Sequence, residues 1–552
     1  MKTSIAFEFR PAAAPIKART GGIAALAFSI GALLVGLLEA WLTRNDMYSD
    51  GISYLDVGDA FFRGHWHSAL NAYWSPLYPV LLGGAMSVLK PGAVWQFPVV
   101  HLVNWLVFAF AVIAFQYLLT GLLSLRSDTL PEWIWIAFGY TLFLWATLRL
   151  IGVGLVSPDM CVAGFVFLAT GALLRLSLQP TLWRYALLGV ILGFGYLAKA
   201  PMMPMAIVML SISAFLAGGA RRAVLRVGLA LVCFLAVAGP WIYGLSAAKG
   251  RPTFGESWSL NVAWYVNDVP RYHWHGTQAT HPTRKISDSP TAYEFNGPVE
   301  GTYPIWYDPA YWNAGIKPHL SVAQMARQIR VNVFDYYELF FRSEVAVAAI
   351  CLALFFLCGA DRKRWIVLIP PAVALCMYAP VHVEDRMLGA YVVLLWLGLF
   401  SSIRMDGPER RRSAYYSMLA LVVLELSRFG LSVLGTASSH GLHERPVQAE
   451  IAQALLQSGI HEGSKIAWVR PHSFTPVENY AWARLAKVQI IAEIPMGQEK
   501  ELWNPGPSKE LLSELHKAGA EALVVTSLPA GAARDQWTPV GRDGYFVRFL
   551  AD

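Results

Sequence analysis

A run of acids follows the first apolar stretch of the chain, within Ser49-Asp50-Gly51-Ile52-Ser53-Tyr54-Leu55-Asp56-Val57-Gly58-Asp59-Ala60-Phe61-Phe62-Arg63-Gly64-His65-Trp66. If Ile52–Arg63 is helical, Asp56, Asp59 and Arg63 fall on one face at i, i+3 and i+7, and Asp59 can pair with Arg63 across one turn. Asp50 precedes that helix. A carboxylate there can cap the helix or serve as a general base, and spacing alone leaves both open. For Asp56 and Asp59 the plain alternative is a solvated helix face. More charges stand at the ends of later apolar runs: Asp159 after Ser157-Pro158, Lys199 before Ala200-Pro201, and Glu384-Asp385-Arg386 before Met387. Asp159 can orient a substrate or simply favour a helix N-terminus. Lys199 and Arg386 can hold an anion, one as a point charge and the other as a bidentate fork. They can equally snorkel to a membrane interface, and Arg386 can pair with Glu384 or Asp385. Arg149 is a weaker residue of the same kind. His65-Trp66-His67 and His273-Trp274-His275 each bring two imidazoles together without a third spaced ligand, so no metal or other cofactor is assigned.

The elements that must position these groups are membrane helices. Of 552 residues, 55% are hydrophobic, 15% charged and 13% aromatic, with 21 Trp; the mean hydropathy is +0.43. Soluble domains average about 25% charged residues, so a soluble or disordered chain is excluded. A bilayer span needs about 20 apolar residues, and eleven runs qualify, at about 21–43, 98–120, 133–150, 158–175, 184–199, 201–218, 225–244, 343–359, 365–382, 387–403 and 413–435. The first is too long for a signal peptide and no small-residue cleavage site follows, which predicts an anchor. With the N-terminus in the cytoplasm, each inside connection is basic: Arg126; Arg175 and Arg184; Arg221, Arg222 and Arg226; Arg362, Lys363 and Arg364; Arg404 and Arg410–Arg412. The N-terminal tail adds Lys2, Arg10, Lys17 and Arg19. That alternation satisfies the positive-inside rule, explains the net charge of +7 without nucleic acid, and puts the C-terminus outside. The five cysteines all sit in apolar runs, as packing residues do.

The expected organisation is a cytoplasmic tail over 1–20, a transmembrane domain over 21–436, and an extracytoplasmic α/β domain over 437–552. Two outside segments, about 44–97 and 246–342, exceed simple turns; the second is rich in Trp, Tyr, His, Pro and Asn and reads as an ordered but irregular loop. In the C-terminal segment, helix patterns at Ala449–Leu456, Pro476–Lys487 and Lys509–Ala518 alternate with strand patterns. The strands fall at Lys465–Val469, Val488–Ile494, Ala522–Thr526 and Gly544–Leu550, which predicts a small three-layer domain without a nucleotide-binding glycine motif. Between the first two spans, Tyr73-Trp74-Ser75-Pro76-Leu77-Tyr78-Pro79 opens a short apolar run ending at Lys90-Pro91, read as an interfacial helix.

The order of one span, then DGxSYLxxxxxxxxGxW, then WSPLYP opening a juxtamembrane helix resembles the bacterial branch of the GT-C glycosyltransferases, the superfamily of protein O-mannosyltransferases and lipid A aminoarabinose transferase. By that resemblance Asp50 matches the family's leading acid and Tyr54 the following tyrosine, while Trp74, Pro76, Leu77 and Tyr78 match an element often seen as His-Pro-Pro-Leu-Tyr. Ser157-Pro158-Asp159 stands where relatives have a second acid. Gly195-Tyr196-Leu197-Ala198-Lys199-Ala200-Pro201 resembles a Gly-Leu-x-x-Lys-x-Pro turn, and Glu384-Asp385-Arg386-Met387-Leu388 an Arg-Tyr-Leu element opening a late span. The chain departs from the pattern at Gly51, where relatives often carry another acid, at Ser53 in place of a basic residue, and at Ser75 in place of the first proline. No Trp-Trp-Asp motif is present.

The resemblance implies an all-α, GT-C-like polytopic protein of the inner membrane with about eleven spans and a periplasmic C-terminal domain. It implies an enzyme that moves one sugar from a polyprenyl-phosphate donor to an extracytoplasmic lipid, glycan or protein acceptor. Asp50 and Asp159 would then be catalytic, and Tyr54, Asp56, Tyr78, Lys199, Glu384 and Arg386 would bind substrate. A single carboxylate base favours inversion at the anomeric carbon. Glu425 and Arg428, three apart in the last run, can pair within the membrane. The alternative is a polytopic transporter or lipid flippase, but the chain shows no half-to-half repeat, and its polar residues gather at the outer ends of spans.

Overall fold

The computed structural model describes residues 18–126, 128–271, 279–359, 365–470, 480–495, 502–503, 506–528, 532–542 and 544–550. The N-terminal basic residues Lys2, Arg10 and Lys17, the loop residues Arg362–Arg364 and the His273-Trp274-His275 motif lie outside them.

Long apolar runs become helices, because a helix satisfies its own backbone polar groups where water is absent. The helices are α1 (Ala18–Leu42), α2 (Ser49–Arg63), α3 (Leu77–Leu89), α4 (Ala93–Ser124), α5 (Glu132–Trp145, continued by a π-turn over Ala146–Ile151), α6 (Asp159–Leu178), α7 (Leu182–Ala198), α8 (Met202–Phe215) and α9 (Ala220–Lys249). The second long loop, read as irregular, ends in a helix, α10 (Val322–Tyr337), and after it come α11 (Val345–Cys358), α12 (Trp365–Tyr378), α13 (Asp385–Ser401) and α14 (Pro408–His440). Every one of the eleven apolar runs is therefore helical. Among the described residues, six helical segments, at Gly21–Leu42, Ala93–Ser124, Glu132–Ile151, Asp159–Leu178, Ala220–Lys249 and Pro408–His440, are long and apolar enough to cross a membrane alone. A pair bent by 76°, Val322–Arg342 with Val345–Cys358, would make a seventh. Helices such as α8, with 14 residues, extend only about 21 Å, short of a bilayer's hydrocarbon thickness.

Inside the bundle, α4, α5 and α6 share an aromatic core in which the rings of Phe115 and Phe143 stack 4.7 Å apart and Phe167 stands edge-on to Phe115. Two part-buried ion pairs lie among the helices. Arg149 binds Glu39 at 2.6 and 3.0 Å, which commits it to α1 rather than to a substrate anion. Glu425 and Arg428 pair at 2.7 Å, as their spacing predicts.

α2 approaches α3 so closely that a Cβ at Gly58 would fall 2.5 Å from the Pro79 carbonyl oxygen, and one at Gly83 the same distance from the Gly58 oxygen. Glycine at both positions is what lets the two backbones touch. The short apolar run opened by WSPLYP is thus helical, as expected, and its packing partner is α2.

The C-terminal segment supplies α15 (Val447–Gln457), α16 (Ala481–Ala486) and α17 (Lys509–Lys517), and strands β3 (Lys465–Val469), β4 (Gln489–Ile494), β5 (Ala522–Val525), β6 (Thr538–Val540) and β7 (Tyr545–Phe549). The expected helix over Pro476–Lys487 is seen from Ala481 on, its beginning lying outside the described residues. The sheet does not stop at this segment. The second long loop, read as irregular, folds a hairpin of β1 (Arg284–Asp288) and β2 (Thr291–Glu294), and β2 pairs antiparallel with β4. The strand order is β1-β2-β4-β3-β5-β7-β6, with β3 parallel to both β4 and β5. These hairpin strands are short and largely polar, so they carry no alternating pattern of their own; the open edge of β4 makes them strands. Along β3, Ala467 and Val469 face a core closed by Leu511 and Leu515 of α17. Ile466 and Trp468 face the other way, into an apolar cluster continuous with the helical bundle.

Candidate active site

α2 begins at Ser49 with Tyr48 at its N-cap, and no side chain caps it. Asp50 is therefore free of the capping role. Its Oδ1 accepts a hydrogen bond from the indole Nε1–H of Trp306 at 3.0 Å, and its Oδ2 lies 3.7 Å from Arg386 Nη1. The bulge of charge opposite is built by three other helix ends. Asp159 opens α6, Lys199 caps the C-terminus of α7 in extended conformation, and Glu384 caps the N-terminus of α13 one residue before Asp385 and two before Arg386.

Lys199 Nζ donates to Asp159 Oδ1 at 2.6 Å, and Ser157 Oγ donates to Asp159 Oδ2 at 3.0 Å. Arg386 donates from Nε to Glu384, and its Nη1 stands 3.8 Å from Asp159 Oδ2. His382 Nε2 lies 2.8 Å from the other Glu384 oxygen. Burial alone would raise the Glu384 carboxyl, but the His382 hydrogen bond and the Arg386 guanidinium hold it well below the usual carboxylate range. At 3.7–3.8 Å the contacts of Arg386 with Asp50 and Asp159 are ion pairs without hydrogen bonds, so this guanidinium edge retains donors for an incoming anion.

These groups line one cleft with about 720 Å³ of empty space, open on one side. Asp50, Tyr54, Lys199, Glu384 and Arg386 all border it. Asp159 sits directly behind Lys199, its side chain 2% exposed. Five of the residues singled out by sequence thus meet at one cavity, and a sixth supports it.

Two do not. Tyr78 is fully buried one layer behind, with its hydroxyl donating to Asn104 Oδ1 at 2.5 Å and its ring edge-on to Tyr54. Asp56 points away from the cleft. It accepts hydrogen bonds from the Thr302 backbone N–H at 2.7 Å and the Thr302 hydroxyl at 3.1 Å, and it binds Arg484 of α16 at 2.7 Å. Asp59 also takes Arg484, at 2.7 Å, as well as Arg63, at 3.4 Å. Neither Asp56 nor Tyr78, both expected to bind substrate, borders the cleft, and Asp56 is buried rather than on a solvated helix face: α2 turns Asp50 and Tyr54 to the cleft and the later acids to the C-terminal segment.

The second long loop supplies what sequence reading missed. The helix Ser257–Asn261 and the π-turn Val262–Val266 bring Asn261 and Tyr265 to the cleft, where Tyr265 stacks on His382 at 4.0 Å. Arg271 donates to the Tyr265 hydroxyl at 3.2 Å and lies 4.9 Å from the Trp306 ring, adding a third cation to the wall. The loop's density of aromatic residues was the available signal. Gly51 also finds its reason: a Cβ there would sit 2.8 Å from Val156 and 2.6 Å from the Met47 sulfur, leaving no room for a second acid. Among the described residues no group of three or more His, Cys, Asp or Glu side chains converges to hold a metal ion; His65 instead contacts Glu300 at 3.1 Å.

No protein-family model matches the chain, and neither does any curated protein sequence. Among solved structures, ArnT from Cupriavidus metallidurans in the apo state is similar at a TM-score of 0.53 and 14% identity, over 97% of this chain and 98% of that one. The same protein bound to undecaprenyl phosphate is similar at 0.43 and 14%, over 97% and 99%. The apo oligosaccharyltransferase of Archaeoglobus fulgidus gives 0.41 and 11%, over 91% and 69%. The likeness to apo ArnT extends end to end, over nearly the whole of both chains, and on that ground the chain has an ArnT-like fold.

Proposed function

We propose that the protein is an integral-membrane glycosyltransferase that moves a single sugar from a polyprenyl-phosphate-linked donor to an extracytoplasmic acceptor, a glycolipid, polysaccharide or protein. The observation that carries this reading is the placement of Asp50 beside Arg386 and across from Lys199 on the wall of one cleft. A base and two phosphate-binding cations are what displacement of a polyprenyl phosphate requires.

In this reading the acceptor hydroxyl oxygen attacks the anomeric carbon while the bond from that carbon to the phosphate oxygen breaks. The electron pair leaves with the polyprenyl phosphate, and Asp50 takes the acceptor's proton. The Trp306 indole and the Arg386 guanidinium fix the two Asp50 oxygens, so the base is held in one orientation before substrate arrives. Lys199 and Arg386 neutralise the leaving phosphate, and Asp159 holds Lys199 in place. The transition state resembles an oxocarbenium ion, which nearby carboxylates also stabilise. Because the acceptor displaces the phosphate directly, with Asp50 acting as base rather than nucleophile, the anomeric centre inverts.

The membrane placement belongs to the same proposal: inner membrane, N-terminus cytoplasmic, the C-terminal domain (437–552) periplasmic, eleven spans within 21–436. Asp50, Asp159, Lys199 and Arg386 occupy the ends of four helices at one cleft, which supports a site at one membrane face. Reconstitution in proteoliposomes with a panel of polyprenyl-phosphate sugars tests the activity. Transfer by the wild type and none by a folded Asp50→Asn variant supports it, whereas equal turnover by both removes Asp50 from the role of base.

A further inference from the structure

Arg484 is mostly buried, its side chain 11% exposed, and belongs to the C-terminal α16, yet its guanidinium lies 2.7 Å from Asp56 and 2.7 Å from Asp59, both on α2. With 3.6 residues per turn, Asp56 and Asp59 project about 240° and 180° around the helix from Asp50. The cleft-facing and Arg484-facing sides of α2 are therefore opposite sides of one rod. Burial would by itself lower the Arg484 pKa, but Asp59 and Asp56 raise it, so the guanidinium is fully charged. Its Nε also donates to Gln96 at 3.1 Å, which ties α16 to the start of α4.

Other contacts complete a clamp. The Tyr480 hydroxyl, from the residue preceding α16, donates to the Ser49 carbonyl at 3.3 Å, one residue from Asp50. Ser53 Oγ donates to the Trp306 carbonyl at 2.9 Å, and the same Trp306 holds Asp50 through its indole. On its remaining side α2 is fixed by the glycine contact with α3.

We propose that Arg484 is a positioning residue for the transfer reaction: through Asp56 and Asp59 it sets the rotation and depth of α2, and hence the place of Asp50 in the cleft. The C-terminal domain then contributes to turnover without touching substrate. This inference rests on Asp50 being the base. The cations assigned to the donor phosphate, Lys199 and Arg386, sit at the ends of α7 and α13 rather than on α2, so loss of the clamp acts on kcat more than on donor KM. Misplacement of a reacting group by about 1 Å costs on the order of a hundredfold in rate.

The test uses the full chain in proteoliposomes, the polyprenyl-phosphate sugar that gives the highest wild-type turnover, and an envelope extract as acceptor source. Release of polyprenyl phosphate is measured per folded molecule. Arg484→Met should lower kcat about tenfold to a hundredfold with the donor KM within about twofold of wild type, and Arg484→Lys should recover part of the loss. Asp59→Asn removes half of the clamp at a part-exposed position and should give an intermediate kcat at full folding, so the test stands even if Arg484→Met does not fold. Wild-type kcat in folded Arg484→Met or Asp59→Asn, or a loss accounted for by the unfolded fraction alone, would overturn the proposal. An Asp50→Asn control separates the two failures: if it is inactive while the clamp variants are unimpaired, only the positioning role falls. If it is fully active, the base assignment falls and takes the positioning role with it.

Discussion

Arg386 holds its Nη1 3.7 Å from Oδ2 of Asp50, although the two residues belong to helices 336 positions apart in the chain, and the same nitrogen is 3.8 Å from Asp159. One guanidinium thus faces both acids without a hydrogen bond to either. General-base help is worth about 10²–10⁴-fold. Asp50→Asn keeps the shape and the Trp306 contact but cannot take a proton, so transfer should fall by that range while the thermal midpoint stays near wild type. Retained turnover in the folded variant sinks the base assignment.

Trp306 is a second test of the same atom. Its ring is buried against Trp74 and Tyr73, and its carbonyl accepts from Ser53 and Trp74, contacts that Phe would largely keep. Trp306→Phe deletes the N–H that orients Asp50. The expected loss is about tenfold in kcat, equivalent to about 1.4 kcal/mol of transition-state stabilisation. A single-turnover assay reads it, and an unchanged rate would show that Asp50 needs no orienting donor.

How far the sequence reaches is visible in these residues. Apolar runs and basic loops predict the helices of the eleven apolar runs, because hydropathy is local information; α10, inside the segment read as an irregular loop, they do not predict. Asp50, Lys199 and Arg386 are found because each stands at the end of such a run. Trp306, Tyr265 and Arg271 are not, because their loop acquires its shape from distant partners: β4, which pairs with its hairpin, and α2, whose Asp56 caps Thr302. Asp56 fails for the converse reason. Its helical face is legible, but Arg484, which covers that face, lies 428 positions away.

Gly51 should tolerate no side chain. A Cβ there would lie 2.8 Å from Val156 and 2.6 Å from the Met47 sulfur, inside contact distance. Gly51→Ala is expected to destabilise by about 1–3 kcal/mol, as overpacking does, and to reduce turnover by pushing α2 away from α6. Adding Val156→Gly, which removes both Val156 atoms that the new Cβ would meet, should return part of the stability, since residues in contact are not additive. Thermal unfolding of the single and double variants reads this, and simple additivity would contradict the crowding.

Glu384 gives a pH dependence with a definite sign. Its pKa in the folded protein lies well below the ordinary carboxylate value of about 4.3. Its pairing with His382 and Arg386 therefore contributes stability that is fully present above that value and is lost as pH falls through the depressed one. The difference in thermal midpoint between wild type and Glu384→Gln should be largest near neutral pH and shrink steadily below about pH 5. A gap that does not change with pH would show that Glu384 is not held by charge.

Lys199 and Asp159 form the buried pair at 2.6 Å, with side chains 22% and 2% exposed. Removing one partner of a buried pair leaves an uncompensated charge, at a cost of about 3–5 kcal/mol, whereas removing both is often nearly neutral. Lys199→Met should fall toward the low end of that range, because Arg386 still stands 3.8 Å from Asp159. The double variant Lys199→Met, Asp159→Asn should recover most of the stability. Activity should not follow. If Lys199 binds the donor phosphate, the stable double variant stays defective with a raised donor KM, and recovery of turnover along with stability would reduce the pair to a structural bond between α6 and the end of α7.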